Sequence, residues 1–121
     1  MAKCVIADDS RIIRMLLSKI MANLNFEVIE AEDGEEVVEM VELNEPAVVI
    51  MDWRLPVLDG IDALYKIRSL KKIKQPKVMF CSSLVDVDKI REALDGGADD
   101  YLMKPFDEEI IITKLEILGL I

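Results

Sequence analysis

Residues 47–51 read AVVIM, five apolar side chains in a row, and Asp52 follows at once. An apolar run of that length without alternation reads as a strand buried on both faces, as the centre of a parallel sheet requires. The carboxylate that closes it then lies at a sheet edge. Residues 5–13, VIADDSRII, repeat the arrangement with two adjacent carboxylates, Asp8 and Asp9. Like charges on neighbouring residues repel. Either the pair caps the helix that follows, as Asp9 and Ser10 are suited to do, or it faces a cation.

Outward from these two runs, short apolar segments alternate with longer stretches of helical period. After the first strand, residues 4–7, Ile13, Leu16, Leu17, Ile20 and Leu24 recur at helical spacing and predict an inward face. Residues 26–31 read as a half-buried strand. EDGEEVVEMVELN comes next as an amphipathic helix with Val37, Met40 and Val41 inward and Leu43 a further candidate, stopped by Pro46. PVLDG breaks the chain before a helix carrying Ile61, Leu64, Ile67 and Leu70. Residues 77–81 form the fourth strand. Asp86 can cap the next helix and Gly96-Gly97 can end it. ADDYLM reads as the fifth strand, and Asp107 can cap a last helix running through Leu118.

Strand and helix thus alternate five times. That order predicts an α/β fold, a parallel sheet with helices on both faces and right-handed crossovers, in one domain over residues 1–121. Such sheets bind ligands at the carboxyl ends of their strands.

Composition narrows the chemistry. Hydrophobic residues make up 52% of the 121, enough to fill a core. The net charge is −9, which disfavours nucleic acid and anionic membrane surfaces as partners. No apolar run reaches the ~20 residues that span a bilayer. The N-terminal run is too short for a signal peptide, so a cytoplasmic protein is expected. Cys4 and Cys81 lie in apolar runs without CxxC spacing and read as core thiols. Histidine is absent, which removes Ser-His and Cys-His dyads and imidazole metal sites.

The remaining reactive groups are gathered at the strand ends. The first strand closes in Asp8-Asp9, the third in Asp52, the fourth in Ser82 and the fifth in Lys104 followed by Pro105. Each residue alone has an ordinary role as a cap, a turn or a solvated cation. Their coincidence on one edge points to a site. Mg²⁺ prefers hard oxygens, commonly one or two carboxylates with waters and phosphate. A unit pair at 4 Å is worth roughly 4 kcal/mol at an effective dielectric of 20.

VIADDS, VVIMDWRLPVLDG, the strand ending in Ser82 and GADDYLMKPF together resemble the receiver domain of bacterial two-component response regulators, over essentially the whole chain. The likeness is to single-domain, chemotaxis-type receivers. It implies a flavodoxin-like fold with strand order 2-1-3-4-5. It implies Asp52 as the phospho-acceptor. Asp8, Asp9, Asp52 and the backbone carbonyl of Arg54 would hold Mg²⁺ or Mn²⁺. Ser82 would bond the phosphoryl group, Lys104 would pair with it, and Tyr101 would be the switch aromatic, turning inward on phosphorylation. The Lys104–Pro105 bond is implied to be cis. A histidine kinase or phosphotransfer protein is the implied donor. The implied output is a downstream protein bound on the fourth helix, fifth strand and fifth helix, around Ile90, Tyr101 and Lys114. A monomer is expected, with no effector domain after Ile121 and no separate substrate turned over.

Two positions depart from the common pattern. Arg54 stands where Asn is frequent, and Leu84 stands where a polar or acidic residue is frequent in the chemotaxis type. Both flank the path of the hydrolytic water in the family, so a longer phosphoryl lifetime is expected. A phosphorelay intermediate passing phosphate to a histidine protein is an alternative. A phosphatase of the haloacid dehalogenase class uses a similar residue set, but its nucleophile comes first, in a DxD motif. An FMN-binding flavodoxin would need Ser, Thr and Gly where Asp8 and Asp9 stand.

Overall fold

The structure, a computed structural model, describes residues 1–83 and 86–121. Five strands and five helices alternate. The strands are β1 (Lys3–Ala7), β2 (Glu27–Ala31), β3 (Val48–Met51), β4 (Lys77–Ser82) and β5 (Asp100–Met103). The helices are α1 (Arg11–Asn23), α2 (Gly34–Asn44), α3 (Gly60–Ser69), α4 (Val87–Asp95) and α5 (Glu108–Ile117). The strands form one parallel sheet in the order β2-β1-β3-β4-β5. It is the flavodoxin-like arrangement that the resemblance implies.

β3 lies at the centre, and all four of its residues are fully buried. Its side chains alternate between two cores. Val49 and Met51 pack with Val37, Val41, Leu64 and Ile67 of α2 and α3. Val48 and Ile50 pack with Leu17, Met21, Ile111 and Leu115 of α1 and α5. Burial of each such side chain contributes about 1.5–3 kcal/mol, so the two-sided core fixes register strongly. In that register Ala7 pairs with Met51, and Met51 with Phe80. The carboxyl ends of β1 and β3 are therefore level, β4 runs two residues further to Ser82 beside Met103 of β5, and the residues just beyond these ends share one edge.

Side-chain caps start the helices. Ser10 caps α1 by accepting from the Ile13 N–H, and Asp33, Asp59, Asp86 and Asp107 cap the other four. The adjoining acidic loop is not spare: Asp8 Oδ1 accepts from the Ser10 N–H at 2.9 Å. α2 ends at Asn44, one residue before a left-handed Glu45 (φ 44°) and two before Pro46.

Two inward assignments are corrected. Leu16 is 45% exposed and Leu43 is 70% exposed. The buried stripe of α1 runs through Arg14, Leu17, Ile20 and Met21, and Leu16 sits one residue off it, about 100° around the helix. Leu43, two residues after Val41, lies about 200° around α2 from it, on the outer face. β5 starts two residues later than ADDYLM suggests, because the Ala98 N–H still bonds back to Ala93 at the end of α4. Among the described residues, no helix is long and apolar enough to cross a membrane.

Candidate functional site

The shared sheet edge brings Asp8, Asp52 and Lys104 together. Asp8 follows β1 and is 1% exposed. Asp52 follows β3, and its N–H donates to the Ala7 carbonyl at 3.0 Å, which ties the two strand ends. Lys104 follows β5. Its Nζ donates to Asp8 Oδ2 at 2.7 Å and to Asp52 Oδ2 at 3.0 Å. Burial opposes the ammonium, but the hydrogen bonds to Asp8 and Asp52 more than offset this, and its pKa lies above the ordinary lysine value. The Lys104–Pro105 peptide is cis.

The loop after β3 is shaped for close approach. Asp52 Oδ1 accepts from the Arg54 N–H at 3.0 Å, so the carboxylate organises its own turn. A Cβ on Gly60 would stand 2.4 Å from Trp53 Cα and 2.7 Å from the Asp52 carbonyl oxygen. Only glycine lets the start of α3 come this close beneath the acidic residue. The Arg54 side chain is exposed, with no ion pair among the described residues. Leu84 lies outside the described residues.

Ser82, at the end of β4, is 3% exposed. Its carbonyl accepts from the Tyr101 hydroxyl at 3.2 Å. The Tyr101 ring packs on Trp53 with centroids 5.5 Å apart, and Trp53 on Phe80 at 5.9 Å. Tyr101 is therefore already turned onto the body of the protein. Burial raises its pKa.

Asp9 is exposed, unlike its neighbour. Among the described residues no three acidic, Cys or His side chains form a closed metal cluster. The like charges of Asp8 and Asp52 are instead bridged by Lys104. The donor set still fits a hard divalent cation. Three carboxylates at this edge stand against one ammonium, so two negative charges are left over, and all the donors are oxygens.

Sequence reading missed Arg14, which is 8% exposed and whose Nη1 donates to the Asp8 carbonyl at 2.6 Å. Its signal was spacing: three before Leu17 and seven before Met21 puts it on the inward stripe of α1.

Comparison with known proteins agrees with this geometry. The family model described as "Response regulator receiver domain" matches residues 4–116. The transcriptional regulatory protein PdtaR of Mycobacterium tuberculosis is 40% identical over 116 residues, which are 95% of this chain and 55% of that protein. The chain thus spans about half the length of that relative. The chemotaxis protein CheY of Bacillus subtilis is 32% identical over 114 residues, 93% of each chain. The solved structure of CheY4 of Vibrio cholerae superposes with a TM-score of 0.89 at 28% identity, covering 98% of each chain. With its sheet order, its strand-end residues and these matches, the chain belongs to the response regulator receiver domain family.

Proposed function

We propose that this receiver accepts a phosphoryl group on Asp52 from a histidine kinase or phosphotransfer protein, with Mg²⁺ or Mn²⁺, and then changes its binding to a downstream protein. The observation that carries this reading is the Lys104 ammonium held by both Asp8 and Asp52. It sets a cation beside the carboxylate that an anionic phosphoryl group must approach.

In the transfer, an Asp52 oxygen bonds to phosphorus while the P–N bond of the donor phosphohistidine breaks, and its electron pair leaves with the imidazole. The product is an acyl phosphate on Asp52. Lys104 exchanges one carboxylate contact for a phosphoryl oxygen. Asp8, Asp9, Asp52 and the Arg54 carbonyl are the groups that would hold the metal ion, which supplies further positive charge for the transferring oxygens. The chain assists its own phosphorylation and dephosphorylation and turns over no separate substrate. It works in the cytoplasm. Chemotaxis-type signalling is the output we favour, on the likeness to the CheY chains, through the α4–β5–α5 face that carries Ile90, Tyr101 and Lys114.

The test is incubation with a phosphorylated kinase or acetyl phosphate, with and without Mg²⁺. Label should appear only with the metal, be labile as an acyl phosphate, and vanish in Asp52→Asn. An acid-stable phosphoserine, or undiminished labelling of that variant, would overturn the reading.

A further inference from the structure

Arg14 is a charged residue inside the protein that takes no part in the chemistry above. Its guanidinium has three attachments. Nη1 donates to the Asp8 carbonyl at 2.6 Å, Nε to Glu30 Oε1 at 3.3 Å and Nη2 to Glu32 Oε1 at 3.3 Å. The two glutamates are exposed, and such pairs form readily in solvent without drawing an arginine inward. The carbonyl is the shortest and most buried contact.

That carbonyl belongs to the peptide joining Asp8 to Asp9. The peptide is planar, so a fixed carbonyl fixes the Asp9 N–H and both adjoining Cα atoms with it. Asp8 is held further along. Its Oδ1 accepts from the Ser10 N–H at 2.9 Å and its Oδ2 from Lys104. Arg14 supplies the remaining constraint, from the backbone side. Guanidinium suits the task, because its rigid fork spreads its donors over three nitrogens and holds a carbonyl and two carboxylates in fixed directions, whereas a lysine has one nitrogen on a flexible stem.

We propose that Arg14 is a positioning residue that sets the Asp8–Asp9 peptide and hence the mutual orientation of both carboxylates towards a divalent cation. This rests on the metal-dependent reading above. The sign of the effect separates geometry from charge. A positive charge close to the site repels a metal ion, so deleting it should tighten metal binding if charge alone mattered. If Arg14 positions the carboxylates, deleting it loosens binding instead.

The experiment is a Mg²⁺ titration of the full metal-free chain, followed by the amide NMR resonances of Asp9, Ser10 and Asp52 in wild type, Arg14→Met and Arg14→Lys. Arg14→Met should raise the half-saturating Mg²⁺ concentration by about tenfold, as loss of groups that orient metal ligands commonly does. Arg14→Lys, which keeps the repelling charge but not the fork, should raise it as well. Global destabilisation alone would not shift the titration of the folded molecules. Equal or tighter binding in Arg14→Met overturns the proposal. If that variant does not fold, wild-type affinity in Arg14→Lys overturns it. No response in the wild type would instead overturn the metal reading, and this proposal with it.

Discussion

Lys104 and Asp8, 96 residues apart in the chain, meet in a hydrogen-bonded ion pair of 2.7 Å. The carboxylate is almost fully buried, and the ammonium side chain is 17% exposed. Removing one partner of such a pair leaves a buried charge uncompensated, at a cost of about 3–5 kcal/mol. Lys104→Met should therefore lose about 3 kcal/mol in urea unfolding without metal. Added Mg²⁺ should recover part of that loss by supplying the missing positive charge. A change within about 0.5 kcal/mol, the scatter of ordinary surface substitutions, would show the pair to be incidental.

The exposed Asp9 should behave differently from Asp8. Without metal, Asp9→Asn should match or exceed wild-type stability, because it relieves repulsion without orphaning a buried partner. A ligand of the folded state stabilises it by mass action, about 1.4 kcal/mol at ten times its dissociation constant. Melting curves with and without Mg²⁺ should show a smaller upward shift in Asp9→Asn than in wild type. Equal shifts would remove Asp9 from the metal site.

Tyr101 already bonds the Ser82 carbonyl and packs on Trp53. Phosphorylation should thus draw the Ser82 hydroxyl towards Asp52 while the tyrosine ring travels little, selecting a conformation the free chain already holds. Structures with and without beryllofluoride provide the measurement. A large outward-to-inward swing of Tyr101 on activation would contradict this.

The two thiols give a pH signature. Burial pushes Cys81 up to about 12 and Cys4 higher still. In the unfolded chain both ionise near the ordinary thiol pKa of about 8.5. Above that pH the unfolded state binds fewer protons than the folded one, so stability falls as pH rises. The slope per thiol is about 0.7 kcal/mol per pH unit at pH 8.5 and approaches about 1.4 by pH 10. Urea unfolding between pH 8.5 and 10, compared with Cys4→Ala/Cys81→Ala, reads it directly. The double variant should lose the slope; the same slope in both proteins would assign it to other groups.

A longer phosphoryl lifetime is the expected consequence of having Arg54 and Leu84 at their positions. Arg54 is exposed and lies two residues after Asp52, whose carboxylate accepts from its N–H, and its guanidinium is expected to act on phosphoryl oxygens as a second cation. Arg54→Asn and Leu84→Glu should each shorten the Asp52-phosphate half-life in one Mg²⁺ buffer. A barrier change of about 1.4 kcal/mol is tenfold. Unchanged half-lives in both would place control of the lifetime elsewhere.

The sequence alone determined the alternation of elements, because buried parallel strands cannot hide their continuous apolar runs and caps are local. Residues 47–51 announced the central strand, and Asp86 and Asp107 announced their helices. It also determined which residues close the strands, and so the composition of the site. Tertiary structure decided what those residues do to one another. Asp8 and Asp9 are identical in type and adjacent in sequence, yet one is buried against Lys104 and the other is exposed. That difference arises because Asp8 continues β1 into the edge shared with β3 and β5, while Asp9 already belongs to the turn into α1. Leu16, expected inside, lies outside while Arg14 is buried, for a similar reason. Hydropathy favours leucine inside, but helix phase places Arg14 on the buried stripe, where the Asp8 carbonyl and two glutamates satisfy its charge. Local chemistry is written residue by residue. Which polar group finds a partner depends on chain segments tens of residues away, and only packing brings those together.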